Sequence, residues 1–466
     1  MILLSRRGRD GGFVMMGERV GAQDRLFYEF DLEERVPSDH VLRRIDGVLD
    51  LSWLRTELRP FYSHTGRPSV CPELMLRMLL IGYCFSIRSE RRLCQEVRLN
   101  LAYRWFCRLG LEDEVPDHST FSVNRHGRFR ESDILRSVFE EVVRRCMAVG
   151  LVGGEGFAVD ASVIEADASR YRRVEGSEIA WTETERARWP VRAYLAALDG
   201  ENTPTNPERA AKALSPTDPA AAWTTRGRHK VMFGYSLNYL IDTEAAVIVD
   251  VEATPTRISL EVDASETMIE RTQDRFGLKP AAVAGDVAYG TGEMLGWLVG
   301  RSIDPHIPVW DRSAIGAEGR FTRADFTYDR ERDVYICPGG KTLRSSGTVL
   351  NGTTLKYIAR RSDCERCPLK PSCTKGRERR LSRDVNEDAR DYARVLMKTD
   401  AYRQSGRRRK MIETLFGDVK RNLGLSRLRL RGLAGARDEF LLTATVQNLK
   451  RLVRHAAIPP PAPIAA

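Results

Sequence analysis

The sequence predicts a mixed α/β core that follows a helical domain and is interrupted by a β-rich insertion. Residues 24–150 carry apolar side chains at the 3.6-residue spacing of helices. From residue 151 to 310 the pattern changes to strand, strand, strand, helix, strand, helix, strand. A further amphipathic helix lies within residues 401–454. Strands and helices that alternate in this way are typical of a sheet covered by helices.

These patterns divide the chain into six segments. They are a disordered lead (1–23), a helical DNA-binding domain (24–150), the first part of the core (151–310, with an insertion at 168–222), an insertion subdomain (311–400), the C-terminal helices of the core (401–454) and a disordered tail (455–466). The lead has no apolar periodicity and the tail is rich in proline, so neither is expected to pack into a core.

The composition favours a nucleic-acid partner. The formal net charge is +10, and residues 401–454 hold fourteen Lys or Arg against four Asp or Glu. A basic excess confined to one segment is typical of a phosphate-binding surface, with a solubilising face as the alternative. No apolar run reaches the ~20 residues needed to cross a bilayer, and nine scattered cysteines are typical of a reducing compartment. We therefore expect a cytoplasmic, nucleoid-associated protein without a membrane partner.

The helical domain contains candidate DNA-binding helices. Pro72 opens a core helix that runs to Cys84, Ser89 can cap a second helix, and a third begins at Leu101. Short helices joined by tight turns allow a DNA reader of the helix-turn-helix type. A plain helical bundle with solvated arginines explains the pattern equally well. The arginines in question are Arg88, Arg91, Arg92, Arg98 and Arg104.

Three acidic residues have the placement of metal ligands. Asp160 and Asp286 are each expected at the C-terminal end of a short buried strand, where α/β sheets place ligand-binding groups. Glu413 lies at the edge of the apolar stripe of an amphipathic helix. That stripe consists of Ile412, Phe416, Val419 and Leu423. The three carboxylates together could hold a pair of Mg²⁺ or Mn²⁺ ions, which catalyse reactions at phosphodiesters.

Each acid also has a simpler interpretation. A single Asp that ends a strand is more often a turn residue or a helix cap. Glu413 could form an ordinary i,i+4 ion pair with Arg409 on the surface of its helix. The element order of all three acids is what favours a metal site.

The segments around these acids resemble the catalytic blocks of bacterial insertion-sequence transposases. Those are DDE enzymes with an RNase H-like core and a Tyr-x2-Arg-x3-Glu-x6-Lys signature around the Glu. The resemblance extends from about residue 24 to 452. Its central stretches are Phe157-Ala-Val-Asp160-Ala-Ser, Ala284-Gly-Asp286-Val-Ala-Tyr-Gly and Arg409-x3-Glu413-x6-Lys420.

The resemblance implies a catalytic triad and a set of DNA contacts. Asp160, Asp286 and Glu413 would be the triad and the Mg²⁺ ligands, and basic residues of the Glu413 helix would bind backbone phosphates. Those basic residues are Arg407, Arg409, Lys410, Lys420 and Arg421.

Two features depart from the family pattern or compete with it. The Tyr position of the signature falls on Gly406, so the role of that Tyr is either absent or performed by Tyr402, one helical turn earlier. Asp167 is a competing first acid, but it is expected beyond the end of the strand, and we therefore prefer Asp160.

The activity implied by the resemblance is DNA transposition. The N-terminal helices would bind the terminal inverted repeats, and the core would hydrolyse the phosphodiester at each end and join the freed 3′-OH to target DNA. Cutting two ends together implies a homodimer or a larger assembly on DNA. The alternatives are a DNA-binding regulator descended from such an enzyme and a stand-alone metal-dependent nuclease.

Four cysteines of the insertion subdomain are candidate zinc ligands. Cys364 and Cys367 form a C-x2-C pair, with Cys373 after it and Cys337 upstream. Four thiolates can hold a structural Zn²⁺ that stabilises a subdomain too small for a large core. The spacing is irregular for a zinc ribbon, and four unligated thiols are the alternative.

Overall fold

The computed structural model describes residues 30–63, 65, 69–175, 181–200, 213–226, 230–310 and 319–455. The expected lead lies outside the described residues, as does the expected tail apart from His455. A helical N-terminal region is followed by two β-sheets with helices packed around them. This arrangement confirms the mixed α/β prediction.

The secondary-structure elements have the following bounds. The helices are α1 (Leu32–Arg35), α2 (Val41–Val48), α3 (Leu54–Leu58), α4 (Pro72–Cys84), α5 (Glu90–Leu99), α6 (Leu101–Phe106), α7 (His118–Asn124), α8 (Ile134–Ala148), α9 (Glu183–Arg186), α10 (Trp189–Gly200), α11 (Ile258–Phe276), α12 (Gly292–Gly300), α13 (Arg361–Glu365), α14 (Glu387–Leu396), α15 (Asp400–Arg421) and α16 (Gly432–His455). The strands are β1 (Gly156–Glu165), β2 (Ala222–Arg226), β3 (Lys230–Asp242), β4 (Val247–Pro255), β5 (Ala282–Ala284), β6 (Asp304–His306), β7 (Thr327–Asp329), β8 (Val334–Ile336), β9 (Thr342–Leu350), β10 (Thr354–Ala359) and β11 (Arg380–Asp384).

Helix-capping residues fix the starts of the N-terminal helices where the sequence predicts them. Pro72 occupies the first position of α4, where its missing N–H has no intrahelical partner to lose. The Ser89 side chain accepts a hydrogen bond from the backbone N–H of Arg92 and so caps α5. α4 and α8 both pack against α16, the last helix of the chain. The N-terminal helices are therefore joined to the core by a shared C-terminal helix.

The central sheet has six strands in the order β2-β3-β1-β5-β6, with β4 also paired to β3. β3 is long enough to pair with β2 through its first residues and with β4 through its later ones. β1 is antiparallel to β3 and parallel to β5, which is in turn parallel to β6. Helix α15 packs on β1, while α11 and α16 pack on β4. Helices thus cover the strands that carry the candidate site.

β1 is longer than the sequence indicates, which changes the placement of the first acid. The expectation that Asp160 ends a strand is wrong, because Asp160 lies in the middle of β1, opposite Tyr239 of β3. The strand continues because β3 supplies partners as far as Gly234, which is opposite Glu165. Asp167 lies beyond the end of the strand, as expected.

The first insertion contains elements that its sequence does not reveal. α9 and α10 lie within residues 168–222, and β2 begins at the last residue of that range and forms an edge of the central sheet. The pairing of β2 with β3 joins two segments that no local periodicity connects. The last strand of the core, β6, ends at His306.

The second insertion folds as a five-stranded sheet in the order β11-β10-β9-β8-β7, with every pair antiparallel. Its core is small and is separate from that of the central sheet. The buried residues of this core are Phe326, Tyr335, Leu343, Tyr357, Ala359 and Leu381. The prediction of a β-rich insertion is therefore confirmed.

In the described part of the chain, no helix has both the length and the apolar character that a membrane span requires.

Candidate active site

Two of the three predicted acids lie on neighbouring parallel strands at the same level of the sheet. Ala158 of β1 pairs with Ala284 of β5, and Asp160 and Asp286 each follow two residues later. Both carboxylates are held by nearby backbone N–H groups, at 2.8 Å from Ala161 to Asp160 and 2.8 Å from Ala288 to Asp286. Strand register and these short hydrogen bonds position the pair.

Glu413 is brought to the same strand by α15. The predicted apolar stripe is buried against the sheet, and the ring of Phe416 stacks on that of Tyr239 with 5.1 Å between the centroids. Glu413 lies beside this buried face, with its side chain 62% exposed. A carboxylate at the edge of a packed helix is fixed in position by the helix and remains open to a ligand.

The three acids share one electrostatic environment. The pKa of Asp160 is raised to about 6, chiefly by burial and in smaller part by the charges of Asp286 and Glu413, while the Ala161 N–H and the Arg409 guanidinium act to lower it. Arg409 lies 3.3 Å from a carboxylate oxygen of Asp160 and 4.0 Å from one of Glu413. The structure thus brings Asp160, Asp286, Glu413 and Arg409 together.

The other basic residues predicted on α15 divide into two groups. The Lys420 ammonium donates to the Ser162 hydroxyl at 2.5 Å, two residues along β1 from Asp160. Arg407, Lys410 and Arg421 are exposed on the side of the helix away from the sheet. Lys420 therefore lies beside the acids, whereas the other three form an outer basic face.

Tyr402 lies on the side of α15 that faces the site. Its ring meets the buried His306 of β6 edge-on, with 5.9 Å between the centroids, and the charge of Arg409 acts on its hydroxyl. His306 in turn bonds the Ser405 hydroxyl at 2.7 Å. A side chain added at Gly406 would meet no atom within 4 Å. Tyr402 thus lies within the electrostatic influence of Arg409, whereas position 406 carries no side chain.

The donor chemistry of the acids fits a divalent cation such as Mg²⁺. Carboxylate oxygens are the hard ligands that Mg²⁺ prefers, and a cation would offset the burial and the like charges that raise the pKa of Asp160. Among the described residues, no three His, Cys, Asp or Glu side chains are grouped closely enough to enclose a metal ion. The Arg409 guanidinium lies within 4.0 Å of both Asp160 and Glu413 in this structure.

The four cysteines of the insertion are gathered at one end of the second sheet. All four are free thiols, and a Cβ atom placed on Gly339 would lie 3.7 Å from the sulfur of Cys337 and 3.6 Å from that of Cys367. Burial raises the pKa of Cys373, and the other three cysteines raise it further. The thiols are therefore neighbours, although they do not form a closed metal site.

One acid near the site has no signal in the sequence. Glu261, in the first turn of α11, accepts a hydrogen bond from the buried Ser236 hydroxyl at 2.6 Å. Burial raises its pKa, and the charge of Asp286 adds to the effect. Its position depends on how α11 packs over β3 and β4, which residue spacing does not encode.

Two arginines predicted as candidate DNA contacts are buried. Arg88 forms an ion pair with Glu439, whose side chain is fully buried, and Arg104 donates to the backbone carbonyls of Gly110 and Asp113. Because these side chains are buried, neither the DNA-binding interpretation nor that of solvated arginines holds for these two residues. Both carry a charge that the fold uses internally. Arg91, Arg92 and Arg98 are exposed.

Two family models match the chain. The one described as Transposase domain (DUF772) matches residues 30–127, and the one described as Transposase DDE domain matches residues 336–453, which include Glu413. Among solved structures, the chain is similar to the piggyBac transposase synaptic complex with hairpin DNA, at 11% identity and a TM-score of 0.32. That match covers 89% of this chain and 74% of the other. The family models, and not this distant likeness, are what bear on the site.

Proposed function

Since the chain belongs to the DDE transposases of insertion sequences, we propose that Asp160, Asp286 and Glu413 are the catalytic carboxylates of this DNA transposase. The observation that carries the proposal is the register of β1 and β5, which places Asp160 and Asp286 at one level. Glu413 faces them from α15, close enough for its charge to act on Asp160. Three acids from three separate segments would not converge for packing reasons alone, because their repulsion is unfavourable.

The order of the central sheet supports an RNase H-like core. β4, β3, β1, β5 and β6 are adjacent in that order, with β1 in the centre and the parallel pairs on one side of it. Asp160 lies on the central strand and Asp286 follows its parallel neighbour. An RNase H-like assignment places the reaction at the face where α15 crosses β1.

The three carboxylates would hold Mg²⁺ or Mn²⁺. When bound, the metal supplies Lewis-acid stabilisation of the charge that develops on the phosphodiester oxygens. The Ala161 N–H fixes one oxygen of Asp160 and leaves the other directed at Arg409. Arg409 would orient a DNA phosphate beside the acids through its guanidinium N–H donors. Tyr402 would contact the same DNA strand from one side.

The basic residues of α15 would bind the DNA backbone around the cleaved bond. Lys420 lies closest, beside Ser162, and the outer face of Arg407, Lys410 and Arg421 extends the positive surface. The N-terminal helices would bind the terminal inverted repeats, and two chains or more would assemble on the paired ends. Because its substrate would be chromosomal DNA, the protein would be associated with the nucleoid.

The cysteine cluster would bind a structural Zn²⁺. Cys337, Cys364, Cys367 and Cys373 lie together beside a core of only a few buried residues, and such small subdomains often depend on a metal.

Substitution of Glu413 tests the catalytic assignment. Glu413→Gln removes the charge of the third acid but keeps its size, so we expect retained binding of end DNA and loss of cleavage in Mg²⁺ by at least about 100-fold. The matched control is Asp400→Asn on the same helix, whose side chain is almost fully exposed, and it should cleave at the wild-type rate. A Glu413→Gln protein that nicks DNA at the wild-type rate would overturn the assignment.

A further inference from the structure

We propose that a cleft between the N-terminal helices and the segment after α15 binds the backbone of duplex DNA a few base pairs from the cleaved bond. The cleft has a volume of about 500 Å³. This arginine cleft is lined by Ser89, Arg92, Asp167, Ser426, Arg427 and Arg429, among others. The proposal rests on the function proposed above and names a DNA contact outside α15.

The chemistry of the arginine cleft matches a phosphate chain. Arg92 is 69% exposed, and its nearest anion is Glu96 on the same helix at 3.2 Å. Arg429 is exposed and forms no ion pair with any residue that the structure describes. Asp167 offsets part of the charge through its ion pair with Arg427 at 3.1 Å. A net positive cleft with serine hydroxyls in its walls suits phosphodiester oxygens better than an apolar or cationic ligand.

Both walls of the cleft are held in fixed positions. The buried carboxylate of Glu439 accepts the backbone N–H groups of Arg429 and Leu430 at 2.6 and 2.7 Å and pairs with Arg88 of the opposite wall. The Ser86 hydroxyl donates to the carbonyl of Asn422 at 2.8 Å. The exposed arginines are therefore presented from a rigid frame, which lowers the entropic cost of binding.

The cleft is continuous with the catalytic face. The segment after α15 continues along β1, because Glu165 exchanges backbone hydrogen bonds with Ser426 and Leu428. Glu165 follows Asp160 by five residues on β1, which is roughly 16 Å at about 3.3 Å per residue. That length corresponds to about five base pairs of DNA at 3.4 Å each. Ser162 and its partner Lys420 lie between Asp160 and Glu165, so a single DNA strand can contact all of these residues.

Beyond the cleft, the positive surface continues on α5. Arg91, Gln95 and Arg98 are exposed on the helix that also carries Arg92. These side chains can contact phosphates and base edges. The arginine cleft thus connects the site of cleavage to the helices proposed to bind the terminal repeats.

The experiment measures how salt weakens DNA binding. Arg92→Gln, Arg429→Gln and the double variant are titrated with a fluorescent duplex of about 30 base pairs across a range of KCl concentrations. Each lost phosphate contact lowers the slope of log affinity against log salt by about 0.9, so the double variant should lose about 1.8. Arg275→Gln is the control, because Arg275 is 60% exposed at the far end of α11. Its slope should equal that of the wild type.

The variants are chosen to preserve the fold. Arg429 anchors its segment through its backbone N–H, which glutamine retains, and melting temperatures should stay within a few degrees of wild type. A double variant with the wild-type slope overturns the cleft. This result is separable from the catalytic assignment, because Glu413→Gln is scored by cleavage and the cleft variants by binding. A protein that cleaves normally and yet shows unchanged slopes would refute only the cleft.

Discussion

Asp160 carries a charge in surroundings that oppose it. Its pKa is raised to about 6 from an ordinary 3.8, chiefly by burial, so the folded protein binds a proton that the unfolded chain has already released. Stability is therefore lost as the pH rises from about 4 to about 6 and does not return above that. A shift of about two pKa units corresponds to at most about 3 kcal/mol.

Removal of this charge should stabilise the metal-free protein. In EDTA at pH 7.5, Asp160→Asn should raise the free energy of unfolding by about 1–3 kcal/mol, and the difference should shrink at pH 4, where the wild-type carboxyl is protonated. Urea titrations at both pH values measure the effect. Mg²⁺ should stabilise the wild type but not the variant. A less stable Asp160→Asn protein at pH 7.5 would contradict the electrostatic explanation.

Among single residues, those that cap helices or follow a periodic pattern could be predicted from the sequence. Pro72 and Ser89 lie at the starts of the helices that they favour, and the apolar stripe of α15 repeats every three or four residues. Local spacing in the sequence therefore reveals these features. Arg88 could not be predicted as buried, because its partner Glu439 is supplied by the last helix of the chain.

At the scale of elements, the segment that joins α15 to α16 depends on one buried carboxylate. Glu439 receives two backbone N–H groups and the Arg88 guanidinium, so Glu439→Ala should leave a buried cation unpaired and lower the free energy of unfolding by about 3–5 kcal/mol. Arg437→Ala is the control, because its pair with Asp133 is about half exposed and should be worth under about 1 kcal/mol. Equal losses in urea unfolding for the two variants would contradict this account.

The second sheet provides a test of the proposed zinc site. Purified protein should contain about one Zn²⁺ per chain by atomic absorption, and Cys364→Ser should lose it because a structural site needs four ligands. Cys71→Ser should keep the metal, since the half-buried Cys71 belongs to the N-terminal helices. Wild-type protein that lacks zinc and gains no thermal stability when zinc is added would exclude the site.

The end of β1 and the existence of β2 could not be predicted from the sequence. β1 continues beyond Asp160 because β3 is long enough to pair with its later residues. β2 forms because it can pair with the first residues of β3. Neither partner is local, so the apolar run before Asp160 did not mark where β1 ends. The strand that carries Asp160 and the strand that precedes Asp286 are nevertheless neighbours, as expected, because this placement depends only on the register of two short parallel segments.

At the scale of the whole molecule, the N-terminal helices and the core are fastened by buried charge. Asp250 of β4 bonds Arg136 of α8 at 2.6 Å and Arg271 of α11 at 2.7 Å, and α16 packs against both α8 and β4. No sequence pattern marks this network. It means that DNA held by the N-terminal helices would stay at a set distance from the catalytic acids.

The main-chain attachment of the segment after α15 also has a consequence for divergence. Glu439 holds the backbone N–H groups of Arg429 and Leu430, so the side chain at position 429 can be exchanged while the segment keeps this attachment. Descendants of this chain can therefore adjust how strongly they grip a DNA end while the chemistry stays constant.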